Sequence, residues 1–130
     1  MKTIPIYPET TVILPLLHEL NHALEKLLMH KEEHSIDLHR LPISPTDKEQ
    51  LLNFLGKGEA KAELNSLGRS MMWETTFPGV WLVEHYDIYD VLLTQTLEIT
   101  WIPPLLKSQP EDIQIGRDKL QHYLSSSSQP

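Results

Sequence analysis

The chain contains no cysteine. That excludes disulfides, thiolate zinc ligands, iron–sulfur ligation by its own side chains and thiol nucleophiles. Basic residues are also scarce: eleven Lys and Arg against eighteen Asp and Glu give a formal charge of −7 and a pI near 5.4. Such a surface repels a phosphate backbone, so nucleic-acid binding is disfavoured. No apolar run approaches the ~20 residues that span a bilayer, and Met1-Lys2-Thr3-Ile4-Pro5 is not followed by the long apolar stretch of a signal peptide. The expectation is a cytoplasmic protein without membrane insertion. What remains is ordinary: 130 residues, 40% hydrophobic and 22% charged, fit one folded domain over 1–130. At this size roughly two thirds of the unfolded surface can be buried, so the core asks for no metal, and no cofactor is expected.

Along the chain, Pro5 and Pro8 make residues 1–11 an expected irregular N-terminus. Leu16, Leu17, Leu20, Leu24, Leu27 and Leu28 recur with the period of an amphipathic helix over Pro15–His30. Ile36–Leu38 reads as a short strand before the proline-marked loop Leu41–Pro45. Thr46 with Glu49 has capping-box spacing, and Gly56 stands just past Leu55, which predicts a short helix from Thr46 to Leu55. Alternation over Glu59–Leu64 and Met71–Phe77 around Asn65–Gly68 predicts a hairpin, and Val80–Tyr86 and Thr94–Ile102 add two strands. In the last of these Leu97, Ile99 and Trp101 share one face and Thr96, Glu98 and Thr100 the other. Pro110–Leu124 reads as a final helix with Ile113, Leu120 and Leu124 as its apolar contacts, and 125–130 as a disordered tail. The sum is an α+β domain: an antiparallel sheet of three to five strands with about three helices packed mainly on one face.

His18-Glu19-Leu20-Asn21-His22 spells H-E-x-x-H, which on a helix can hold zinc with the glutamate as general base. A zinc-dependent hydrolase is therefore one alternative, with His18 and His22 as metal ligands. On the helical wheel, however, the two histidines fall opposite the leucines, on the face that should meet solvent. His30, His34 and His39 continue a histidine-rich stretch, and His30 with His34 would form an i, i+4 pair if the helix continued, but Lys31, Glu32 and Glu33 argue for a solvated helix end. Glu32-Glu33 and Glu111-Asp112 are adjacent pairs, the form of a solvated run or a helix start. Gly56 and Gly58 follow a helix, the reverse of the strand, glycine loop, helix order of a phosphate loop. No Gly-x-Ser-x-Gly elbow is present, and no catalytic residue is assigned.

Glu74-Thr75-Thr76-Phe77-Pro78-Gly79-Val80-Trp81 sets a Pro-Gly pair between two strand patterns, with an aromatic residue on each side. Pro78 presets φ and Gly79 supplies a left-handed residue, which predicts a type II turn. Trp73, Phe77 and Trp81 then belong either to the core of a tight hairpin or to a partner-binding surface, and spacing does not separate the two.

Four blocks carry a resemblance: Ile36-Asp37-Leu38-His39-Arg40-Leu41-Pro42, Asp47 with Leu51 to Ala60, Glu74 to Trp81, and Leu97-Glu98-Ile99 before Ile102-Pro103. Together they resemble the C-terminal region of the HupH/HyaF hydrogenase expression/formation proteins, over roughly Val12–Leu106. Leu82 stands where a basic residue is expected and Ala60 where a valine is. The resemblance implies a non-catalytic, chaperone-like accessory of uptake nickel–iron (NiFe) hydrogenase biogenesis in the cytoplasm. Its implied partner is a hydrogenase subunit precursor, the small subunit among the candidates, or a thioredoxin-like assembly protein. It also implies that the chain corresponds to the C-terminal unit of longer family members. The residues expected at the partner surface are Gly56, Gly58, Glu74, Phe77, Pro78, Gly79 and Trp81. A purely structural oligomerisation module is the other alternative, because an unpaired sheet edge can join two copies as a homodimer.

Overall fold

A computed structural model describes residues 13–127. The expectation for residues 1–11 and the end of the expected tail, 128–130, lie outside the described residues. Helix α1 spans Leu14–His30, with Pro15 in its first turn and the left-handed Lys31 as its C-cap. The leucine period sets the buried face, with Leu16, Leu20, Ala23 and Leu27 buried, but Leu28 lies outside it and is 72% exposed. Strand β1, His34–Asp37, begins two residues earlier than its pattern indicated. Helix α2 spans Pro45–Leu55. Its cap is not Thr46 but Ser44, whose side chain accepts the Asp47 N–H at 3.0 Å. Pro45 explains the shift, since proline is well suited to the first helical position and needs no N–H partner there.

Strands β2 (Lys61–Asn65), β3 (Arg69–Glu74), β4 (Val80–Tyr86) and β5 (Leu92–Ile99) follow as a meander. β1 returns to the free side of β5, so the antiparallel sheet runs β1-β5-β4-β3-β2. Five strands is the upper end of the expected range, and the α+β class holds. β5 stops earlier than its alternation suggested. Val80 pairs with Ile99 at the beginning of β4, so no partner strand remains beyond Ile99. The Thr100 N–H turns to the Gly79 carbonyl instead, Thr100 is buried, and Trp101 is exposed rather than on the Leu97 and Ile99 face.

One sheet face presents Ile36, Leu97, Ile99, Val80 and Leu82 to α1 and α2, and this is the main core. The opposite face holds a smaller cluster of Met72, Trp81 and Val83, bordered by Ala62, Leu64 and Leu106. Leu106 belongs to a short 3-10 turn, Pro104–Leu106. Helix α3, Pro110–Ser127, continues three residues beyond the expected Leu124 and into the stretch expected to be disordered. The contacts expected of Ile113, Leu120 and Leu124 are not made: all three are exposed, and α3 has no buried residue. The physical reason is that α1 and α2 already fill one sheet face and the 103–106 segment lies on the other, leaving α3 outside the core.

Candidate partner-binding site

The junction between the end of α2 and the β3–β4 turn gathers six of the seven residues expected at the partner surface. Gly56 ends α2 with φ of 66°, and a β-carbon there would stand 2.9 Å from Thr76 Cγ2. Thr76 latches the helix end, its N–H and its hydroxyl both donating to the Leu55 carbonyl, at 2.9 and 2.7 Å. These bonds satisfy a carbonyl that the last helical turn would otherwise leave orphaned. Two residues on, the Gly58 N–H donates to the Glu74 carbonyl at 2.7 Å. A Gly58 β-carbon would lie 2.8 Å from the Thr75 carbonyl oxygen, so the two backbones approach closely because that side chain is missing.

The turn itself is the expected one. Val80 N–H donates to the Phe77 carbonyl at 3.0 Å, and Gly79 has φ of 95°, the left-handed value a type II turn needs after Pro78. The Glu74 carboxylate accepts the Gly79 N–H at 3.1 Å. Thr75 Oγ1 accepts the Phe77 N–H and donates to the Phe77 carbonyl. Loop and turn are thus held by main-chain bonds and short side-chain reaches, which gives a rigid surface with little entropy left to lose on binding.

On that frame Phe77 stacks on Phe54, ring centroids 5.5 Å apart, and keeps 40% of its surface exposed. Beside the pair opens an apolar cleft of about 190 Å³ lined by Leu17, Leu24, Phe54, Phe77 and Val80. Trp73 is half-buried, with the Lys57 ammonium 4.3 Å above its ring. The exception among the expected residues is Trp81. It points to the opposite sheet face, is 7% exposed and packs with Met72 and Val83, so it supports the sheet and has no contact area to offer. Phe54, not among the residues expected at the partner surface, is the member that spacing did not reveal. Its signal is three-dimensional, because the turn brings Phe77 back over it.

His18 and His22 are exposed on α1, as the helical wheel indicated. Glu19, the glutamate of the H-E-x-x-H string, accepts from His34 at 2.9 Å. Among the described residues no three His, Asp or Glu side chains are grouped to hold a metal ion. A second polar spot lies on the other sheet face, where Glu33, His85, Glu98 and Thr100 line a cleft of about 340 Å³ with Val83 and Leu105. Burial pushes the Glu98 carboxyl above its ordinary value of 4.5, the Glu33 charge adds to the rise, and His85 and the Thr96 hydroxyl oppose it. A raised carboxyl in the folded state means that folding takes up a proton between the unfolded and folded pKa values. Stability therefore rises as pH falls through that window. Glu98→Gln should flatten this part of the pH–stability curve and raise stability at neutral pH, as read by urea unfolding at several pH values.

The five-stranded antiparallel sheet with two helices on one face, and the glycine-locked turn that holds the partly exposed Phe54–Phe77 pair at the helix end, define the class, an α+β domain. Residues 12–126 match the family described as HupH hydrogenase expression protein, C-terminal conserved region, and the chain belongs to that family. Among relatives, the hydrogenase expression/formation protein HoxQ of Azotobacter vinelandii is 33% identical over 67% of this chain and 31% of its own length. HupQ of Azotobacter chroococcum mcd 1 is 32% identical over 82% of this chain and 38% of its own length. The chain thus spans about a third of the length of these curated relatives. The solved hydrogenase expression protein HupH from Thiobacillus denitrificans superposes with a TM-score of 0.83 at 38% identity, over 87% of this chain and 94% of that one.

Proposed function

We propose that this chain is a non-catalytic accessory of NiFe hydrogenase biogenesis, acting in the cytoplasm and binding a hydrogenase subunit precursor or an assembly partner. Membership of the family, and relatives that are hydrogenase expression/formation proteins, support the hydrogenase context. One observation carries the choice of surface: Phe77, rigidly held by the Thr75, Glu74 and Gly79 bonds, is 40% exposed beside the apolar cleft. The bound element is an apolar segment that inserts a side chain between Phe77 and Leu24. Gly56, Gly58, Glu74, Pro78 and Gly79 shape this surface, and Phe54 and Phe77 supply its contact area.

The test uses purified protein and purified hydrogenase subunit precursors, with the thioredoxin-like assembly protein as a further probe. Binding to one of them is expected, with affinity roughly tenfold lower or worse for Phe77→Ala, the loss typical of a central aromatic anchor. The same substitution in cells should reduce hydrogenase maturation. If deletion of the gene leaves hydrogenase maturation intact and no precursor or assembly protein binds, the reading fails. Binding that Phe77→Ala leaves unchanged would retain the role and discard this surface.

A further inference from the structure

Helix α3 is eighteen residues long and buries none of them. Ile113, Leu120, Tyr123 and Leu124 are each more than half exposed. A helix with no face buried among the described residues draws little of the tertiary packing that stabilises most helices in water. Gly116, near its middle, weakens it further. Among the described residues nothing asks for that glycine: beyond its own chain neighbours and helix backbone, no atom comes within 4 Å of the position a Gly116 β-carbon would take. The matched family region runs to residue 126, so almost all of α3 belongs to it.

The arrangement of the exposed side chains says what can cover them. Ile113, Gly116, Leu120, Tyr123 and Ser127 follow the alternating three and four spacing of a helix–helix seam. The first four of these positions read the same in both directions about Asp118. Ile113 and Tyr123 lie symmetrically outside, Gly116 and Leu120 symmetrically inside. Such a seam complements an antiparallel copy of itself. Ile113 faces Tyr123 of the second copy, and Leu120 fills the space left over Gly116 of the second copy. That is the self-complementarity a two-fold axis requires. Ile113, Leu120 and Tyr123 on the seam, with Leu124 at its flank, leave on the order of 500 Å² exposed per copy, so a symmetric pair buries at most about 1,000 Å² through them, the lower bound for a specific interface.

We propose that α3 is a homodimerisation element, packing antiparallel against α3 of a second copy of this chain with the crossing at Gly116 and Leu120. This dimer uses a helix and leaves the sheet edges and the Phe77 cleft free, so it stands independently of the partner reading above. Arg117 and Lys119 flank the crossing on both copies, which places like charges near the axis. Association strengthens as salt screens them.

The test is the oligomeric state of the 130-residue chain by sedimentation equilibrium. A dimer is expected, tightening between low and moderate salt. Leu120→Asp should weaken it roughly a hundredfold, the loss of a central anchor, with an unchanged far-UV spectrum from the sheet because α3 lies outside the core. Gly116→Ala should also weaken it, although the substitution favours an isolated helix. Since the chain has no cysteine, orientation is read by mixing Ile113→Cys and Tyr123→Cys proteins. The antiparallel pair gives a disulfide in the mixture, and a disulfide in either variant alone overturns it. A monomer at high concentration, a dimer insensitive to Leu120→Asp, or association that weakens with salt would each overturn the proposal.

Discussion

Leu97→Ala should lower the unfolding free energy by about 3 to 5 kcal/mol, the range for truncating a fully buried leucine whose site cannot collapse. Leu97 is 0% exposed and sits in β5 between Ile36 of β1 and Leu82 of β4, its two cross-strand partners. Behind it lie α1 and α2, so the cavity would open where sheet and both helices meet. The flanking strands are fixed by their ladder bonds and cannot close over the gap. Domains of this size carry about 5 to 15 kcal/mol in total, so this single change removes a large share. Urea unfolding should show a lower midpoint with an unchanged slope, because the same surface is exposed on unfolding. A midpoint shift worth less than 1 kcal/mol would mean that the core at Leu97 is less tightly packed than its burial indicates.

How much of this was readable in advance follows from where each piece of information resides. The buried side of α1 was, because a helix covered on one face writes its period into its own leucines. The same arc places His18 and His22 in solvent. The limits of β4 were readable too, with Pro78-Gly79 before it and the change of pattern after Tyr86. The end of β5 was not, since it depends on where β4 begins across the ladder, a fact held by another segment. For α3 the apolar spacing correctly announced a helix but could not name its cover. Amphipathy states that a face needs burying, without stating against what. The site divides along the same line. Pro78 and Gly79 announced their turn by local chemistry, whereas the separation of Phe77, which is exposed, from Trp81, which is buried, depended on which sheet face each alternation reached.

Gly58→Ala carries the second large effect and decides what the glycines of the junction do. Its β-carbon would meet the Thr75 carbonyl oxygen at 2.8 Å and the Glu74 carbonyl oxygen at 3.1 Å, and neither is a flexible side-chain end that can swing away. Relief requires the loop after α2 to move off β3, which breaks the 2.7 Å bond from the Gly58 N–H and leaves a carbonyl unpaired. A loss of about 2 to 3 kcal/mol is expected. Gly56→Ala meets a different obstacle: the methyl carbon of Thr76, at 2.9 Å, together with a left-handed backbone. Thr76→Ser removes that methyl while keeping the hydroxyl that donates to Leu55, so part of the Gly56→Ala cost should vanish in the double variant, the rest being backbone strain. No such rescue is available at Gly58. The two glycines therefore act on binding only through the frame they permit. Gly58→Ala should lose stability and partner affinity together, while Phe77→Ala should lose affinity with a much smaller stability cost. A Gly58→Ala protein with native stability and lost binding would instead make the glycine surface itself the contact.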